Sequence, residues 1–254
     1  MKVVTWNVNG IRAREAQVAE LLAREAPDLV CLQEIKAPPD KVPAALHPLA
    51  GYHGLWHAQS AYSGVSLLVR EQRVDGVPRF EHPPFDVETR VVAAQVGGVT
   101  VASLYVPNGG KDLDAKLRFL EALDAWASEA QAGGRPLLLC GDLNVTREPR
   151  DVHEKERRAG AIGQRDDERA LLARLLSRGL VDVGRAVDPE NAALFTWWPP
   201  WRGLRQKNVG WRIDYVVASE ALARGARRCV VLPEYGTSDH APVVAEFDGW
   251  TASR

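Results

Sequence analysis

The chain has 254 residues, 46% of them hydrophobic and 26% charged, with a formal net charge of −1. That length suits one large α/β domain with a substantial core, or two small ones, and the composition excludes a disordered or fibrous chain. No apolar run approaches the roughly 20 residues of a membrane span, and the first ten residues carry no secretory signal.

Lys2–Trp6 reads as a strand. Ile11–Glu25 has helical periodicity, with Ile11, Val18, Leu21 and Leu22 on one face, and Pro27 stops it. Asp28–Gln33 and Gly64–Arg70 follow as apolar strands. Val91–Val96 and Val99–Val106 flank Gly97-Gly98, which predicts a hairpin. Asp112–Ala130 is a long amphipathic helix and Pro136–Cys140 a strand. Asp166–Arg178 is helical, with Leu171, Leu172, Leu175 and Leu176 facing inward. Arg212–Ala218, Arg228–Leu232 and Pro242–Phe247 complete the strands. Hairpin-joined strands mixed with strand–helix–strand units point to packed sheets with helices outside. A single domain over residues 1–254, built as a four-layer α/β sandwich of two mixed β-sheets flanked by helices, satisfies this pattern.

Cys31, Cys140 and Cys229 each sit in an apolar, strand-like stretch without metal-site spacing. They read as reduced core thiols, which suits a cytoplasmic chain. His53 and His57 lie four apart on a strand-like run. With no third ligand nearby in sequence, the pair is not read as a zinc site.

The chemistry lies where polar residues interrupt strand ends: Asn7, Glu34, Tyr105, Asp142 with Asn144, Asp214, and Asp239-His240. Each alone is ordinary turn chemistry. Together they resemble a site raised on strand-end loops. Glu34 and Asp239 are hard oxygen ligands and Asn7 a neutral one, a set suited to Mg²⁺, with Mn²⁺ as a substitute, on a phosphate substrate. Asp142 could orient or deprotonate a water. Asn144, Tyr105 and His240 could donate to phosphoryl oxygens, and Asp214 could fix the His240 tautomer. No GxSxG, P-loop or CxxC motif is present, so direct attack by water is favoured over a covalent intermediate.

The segments WNVNGIRA, LQEIK, YSGV, LYVPNG, GDLNV, GWRIDYV and SDHAP occur across almost the whole chain. In that order they resemble the exonuclease III family of apurinic/apyrimidinic endonucleases, within the DNase I-like superfamily. The resemblance implies a DNase I-like fold with its site at one end of the paired sheets. It implies metal binding centred on Glu34 with Asn7 and Asp239, Asp142 acting on the water, Asn144 and Tyr105 at the phosphate, and His240 paired with Asp214. In some accounts Tyr105 or His240 takes a more direct part. Some relatives carry aspartate where this chain has Asn9.

From Asn191 to Ile213 there is no acidic residue, while Arg202, Arg205, Lys207 and Arg212 alternate with Trp197, Trp198, Trp201 and Trp211. Such residues can track phosphates and meet bases or sugars. Trp198 reads as core. The resemblance assigns Trp197, Trp211 and Ile213 to a slot for a flipped abasic deoxyribose, and Trp201 to a wedge position. Arg12, Tyr62, Arg90, Asn108 and Lys111 are further phosphate-contact candidates. The implied activity is metal-dependent cleavage 5′ to an abasic site, with 3′→5′ exonuclease and 3′-end cleaning, by a monomer acting on double-stranded DNA with abasic sites or blocked 3′ ends. The alternatives are a superfamily phosphodiesterase with another substrate and a non-catalytic nucleic-acid-binding module.

Overall fold

A computed structural model describes residues 1–250. In chain order its elements are β1 (Lys2–Asn7), α1 (Glu15–Glu25), β2 (Leu29–Gln33), β3 (Tyr52–His57), β4 (Val65–Arg70), β5 (Phe80–Glu81), β6 (Val91–Val96) and β7 (Val99–Tyr105). There follow α2 (Leu113–Ala132), β8 (Leu137–Asp142), α3 (Asp166–Leu176), β9 (Leu180–Asp182), α4 (Val183–Val187), β10 (Asp214–Ser219), α5 (Glu220–Ala223), β11 (Ala226–Val231) and β12 (Val243–Phe247). One six-stranded sheet has the order β11-β12-β1-β2-β4-β3, the other β5-β6-β7-β8-β10-β9.

Period-two alternation sorts the side chains into layers. Val3, Leu29, Cys31, Val65 and Leu67 face Val92, Val101, Leu138, Cys140 and Val216 between the sheets. The alternate residues Val4, Val30 and Leu32 turn outward onto Val18, Leu21 and Leu22 of α1. On the far side Ala102, Leu104 and Leu139 meet Phe119, Leu120 and Leu123 of α2 and Leu172 and Leu175 of α3. The result is helix, sheet, sheet, helix. All three cysteines are free and buried. Among the described residues no helix is long and apolar enough to cross a membrane.

Local signals place most boundaries. Asp112 caps α2 by accepting the Ala115 N–H at 2.9 Å. Gly97 and Gly98 both take positive φ, and Val96 pairs with Val99 across them. Ala26, left-handed at φ 45°, ends α1 just before Pro27. The first helix departs from expectation. Ile11–Ala13 is a separate 3₁₀ turn, and α1 starts only at Glu15. Asn9 and Gly10 have positive φ, and the Arg14 guanidinium donates to the carbonyls of Asn9 and Thr237. This loop is therefore shaped by the site beside it. At the other end, Arg212 and Ile213 lie ahead of β10 and make no strand ladder.

Gly141 sits at φ +147°, and a Cβ there would lie 2.0 Å from the Leu104 carbonyl oxygen. Its backbone is clamped between Leu104 of β7 and Tyr215 of β10. Gly141→Ala is expected to cost about 3 kcal/mol or more, because a buried central strand must move. Urea denaturation of the variant measures it.

Candidate active site

Strand direction alone gathers the polar tips. β1 and β2 run parallel and end at Asn7 and Gln33; β7 and β8 run parallel and end at Tyr105 and Asp142. β10 and β12 run the opposite way, so their beginnings lie at the same end. In register, Tyr105 sits opposite Asp142, which sits opposite Asp214. Glu34 follows β2, and Asp239-His240 precedes β12. Glu34 and Asn144 adopt left-handed backbone, φ 49° and 52°. For non-glycine residues this is a strained state that surrounding structure must enforce. Here Gly10 N–H donates to Glu34 O at 2.7 Å, and the Ile35 and Lys36 amides donate to Gly64 O and Ser63 O.

Asp142 is the hub and is almost fully buried. The Asn7 Nδ2 donates to Asp142 Oδ2 at 3.0 Å and to Glu34 Oε1 at 2.8 Å, tying the two sheets together through one amide. Asn144 donates its backbone N–H to Asp142 Oδ1 at 2.9 Å and its Nδ2 to Asp142 Oδ2 at 3.2 Å. His240 Nε2 stands 3.9 Å from Asp142 Oδ2, while its Nδ1 lies 2.9 Å from Asp214 Oδ2. Asp239 accepts from Asn9 Nδ2 at 2.8 Å and Trp197 Nε1 at 3.0 Å. Glu34 Oε2 pairs with Lys36 at 2.7 Å.

The environment divides these acids. Burial pushes the Asp142 carboxyl up to about 7, Asp214 and Glu34 add to it, and His240 and the Asn144 N–H oppose it. Burial also works on Glu34, but His240, Asn7 and Lys36 outweigh it and hold that carboxyl below its usual range. Asp239 is likewise held low, with His240, Asn9 and Trp197 overcoming burial. Burial disfavours charge on His240, yet Asp214, Asp142 and Asp239 carry the imidazole up to about 10. Burial, with Glu34 and Asp142, raises the Tyr105 phenol, so it stays a donor at neutral pH. One carboxyl that takes up a proton near neutrality beside two that stay ionised is the arrangement acid–base chemistry requires.

Glu34, Asp142 and His240 each offer a ligand atom, all within 4.8 Å of one another. A charged imidazole is a donor and not a ligand. The remaining atoms, on Glu34 and Asp142, are hard carboxylate oxygens, which fit a divalent cation of the Mg²⁺ type. Beside them Trp197 and Trp211 meet edge to face at 5.5 Å, with Ile213 buried next to them. This slot and the acids line one cleft of about 720 Å³.

A family model described as the Endonuclease/Exonuclease/phosphatase family matches residues 4–240. The chain belongs to the endonuclease/exonuclease/phosphatase family. It is 34% identical over 253 residues to an exodeoxyribonuclease of Bacillus subtilis (strain 168), covering 96% of this chain and 98% of that one. Among solved structures it is similar to a 3′-5′ exonuclease from Neisseria meningitidis, with TM-score 0.88, 36% identity, 98% of this chain covered and 100% of that one. It is also similar to an AP endonuclease from Archaeoglobus fulgidus, with TM-score 0.86, 31% identity, and 98% and 99% coverage.

Within this endonuclease/exonuclease/phosphatase chain, the outer candidates divide. Arg12, Tyr62, Asn108, Lys111, Trp201 and Lys207 are exposed. Trp201 stands 57% exposed, whereas Trp198 is buried as expected. Arg90 is buried. It pairs with Glu88 at 2.7 Å, donates to Tyr62 Oη at 3.0 Å, and stacks 4.6 Å from the Tyr105 ring centre. Two members of the basic tract are engaged by partners within the protein, Arg212 buried and Arg205 half-buried. Arg212 is buried in a network with Asp151 and Asp182 beneath the tryptophan slot. Arg205 donates to the carbonyls of Pro233, Tyr235 and Ser238. Arg212 is not available to track a phosphate, since a buried guanidinium must find its partners inside the protein, and the donors of Arg205 are taken up by those carbonyls.

Sequence reasoning missed Lys116 and Glu168, which pair at 2.5 Å with no solvent exposure. Lys116 Nζ also donates to Asn144 O at 2.7 Å and Asn108 O at 3.2 Å, and Glu168 accepts the Gly163 and Arg165 amides. The signal was present: Lys116 occupies the same helix stripe as Phe119, Leu120 and Leu123, where a lysine must have a buried partner. Lys116→Met is expected to cost about 3–5 kcal/mol by orphaning Glu168. Thermal denaturation measures it. His240 carries a second expectation. Its raised value means that its stabilising contribution is complete below about pH 6.5 and is lost as pH rises through about 10. In the metal-free protein, NMR should find the ring protonated at about pH 8, and Asp214→Asn should lower its titration by at least about one unit.

Proposed function

We propose that this chain is a DNA-repair nuclease that hydrolyses the phosphodiester 5′ to an abasic site, with 3′→5′ exonuclease and 3′-end-cleaning activity at the same centre. The observation that carries the reading is the continuity of the cleft: the Trp197–Trp211–Ile213 slot opens beside Asp142 and His240. A sugar without its base costs little to extrude and fits a narrow apolar slot, whereas an intact nucleotide is larger. A lipid-headgroup phosphodiesterase would have no use for such a slot. The exonuclease and AP endonuclease similarities support DNA as the substrate.

A Mg²⁺ ion, with Mn²⁺ as a substitute, would be held by Glu34 with Asn7 and Asp239, and would neutralise phosphate oxygens and charge on the leaving oxygen. Asp142 takes a proton from the attacking water as the new P–O bond forms. The P–O3′ bond breaks, the departing 3′-oxyanion takes a proton from solvent to become the 3′-hydroxyl, and the 5′-phosphate stays on the abasic sugar. His240, charged through Asp214, donates to a phosphoryl oxygen, and Tyr105 donates from the opposite wall. Asn144 steadies Asp142 and stands at the same oxygens. Arg12, Asn108, Lys111 and Lys207 contact flanking phosphates, Tyr62 extends that surface, and Arg90 acts on it through Tyr105 and Tyr62. Trp201 wedges into the duplex.

Incision of a duplex carrying one abasic analogue tests the reading. Cleavage should fall 5′ to the lesion with Mg²⁺ and vanish with a chelator. Asp142→Asn should lose about 10²–10⁴-fold in rate with its circular dichroism unchanged; near-normal turnover would remove Asp142 from the chemistry. Trp201→Ala should weaken binding to abasic duplex, and unchanged affinity would refute the wedge.

A further inference from the structure

A second cluster of ligand-type side chains gathers away from the catalytic carboxylates. His57 ends β3, His82 follows β5, and Asp86 lies in the loop before β6. His57 Nε2 is 2.5 Å from Asp86 Oδ2, and His82 Nδ1 is 3.8 Å from the same oxygen. The two imidazoles stack at 3.8 Å between centres. Each of the three residues offers a ligand atom within 4.8 Å of the others. We propose that His57, His82 and Asp86 form a site for a Zn²⁺-class divalent cation, independent of the catalytic metal.

Donor chemistry selects the ion. Two imidazoles and one carboxylate favour borderline metals such as Zn²⁺ over Mg²⁺, and three protein ligands leave a fourth position for water. The supporting contacts are in place. Asp86 Oδ1 accepts the Arg90 and Val91 amides at 2.7 and 2.9 Å, which fixes the carboxylate and turns Oδ2 toward the histidines. The Val91 carbonyl accepts from His82 Nδ1 at 3.1 Å and orients that ring, which leaves Nε2 as its ligand atom. Such outer contacts are what hold metal ligands in place. Burial would raise the Asp86 carboxyl, but hydrogen bonds from His57 and the Val91 and Arg90 amides keep it below its usual range. His82 is 40% and His57 20% exposed at the side chain, so an ion has a path in. Coordination requires the stacked rings to swing apart so that each aims a nitrogen at the ion, and the shortest contact to open by under about 1 Å.

The consequence reaches the active site through the main chain. Asp86 holds the Arg90 amide, and Arg90 stacks on Tyr105. Cross-linking the end of β3 to the loop between β5 and β6 would stiffen the segment that delivers Arg90. The pair His53 and His57, four apart on one strand, is not the unit; the partners of His57 come from beyond β4.

Calorimetric titration of Zn²⁺ into the chelator-treated full chain in excess Mg²⁺ tests the site. The expected result is a zinc equivalent with Kd at or below about 1 μM. It is retained in Glu34→Gln and weakened at least about 100-fold in His82→Ala and in His57→Gln. Zn²⁺ should raise the melting temperature of the native chain and not that of His82→Ala. No saturable zinc binding, or binding that survives both histidine substitutions, overturns the proposal and leaves a hydrogen-bonded His–Asp pair.

Discussion

Two carboxylates from different sheets share the two hydrogens of one amide. Asn7 Nδ2 reaches Glu34 on the first sheet and Asp142 on the second. Everything at the site depends on this junction, because the acids around it repel one another and burial strengthens that repulsion. Asp142, Glu34 and Asp214 stay close only because Asn7, Asn144 and a charged His240 stand between them. Burial, with the crowding of Asp214 and Glu34 added to it, lifts Asp142 toward neutrality and gives it the capacity to accept a proton where its neighbours cannot.

The scaffold holds this arrangement through main-chain geometry. Gln33, one residue before Glu34, donates to Thr5 of β1 and Ser103 of β7 inside the sandwich, so the sheets are pinned in depth just behind the acids. Register then sets lateral positions. Tyr105, Asp142 and Asp214 lie side by side across three strands, and a slip of one residue would turn each into the core. The left-handed Glu34 and Asn144 are held by hydrogen bonds from neighbouring loops and by the buried Lys116–Glu168 pair. Strain of this kind persists where surrounding contacts over-determine it.

Around this rigid centre the outer surface is of two kinds. The Tyr62–Arg90–Tyr105 wall is cross-braced by stacking and by hydrogen bonds, and the proposed His57–His82–Asp86 site would brace it from behind. The loop bearing Trp201, Arg202 and Lys207 is exposed. A fixed wall and an exposed wedge on either side of one slot suit an enzyme that must bend and probe a duplex before committing to chemistry.

Much of this was legible in the sequence. Short apolar runs between turn residues gave most of the strands and helical stripes gave α1, α2 and α3, because those patterns report directly which residues are buried. The polar tips at Asn7, Glu34, Tyr105, Asp142, Asp214 and His240 stood out as interruptions of apolar runs, and the order of the surrounding motifs marked the family. The short elements β5, β9, α4 and α5 were not legible, being too brief to show a period. Nor was the burial of Arg212 or the engagement of Arg205, since a basic residue in a tract without acids looks solvated until Asp151, Asp182 and the carbonyls near Tyr235 fold against it. His57 was set aside for want of a third ligand close in sequence, while its neighbours in space are residues 82 and 86. The sequence alone determined which residues bear chemistry and which faces are apolar, since both follow from side-chain type and spacing. Only the tertiary structure decided which charges meet, because those pairings depend on register and on contacts between separate elements of the chain.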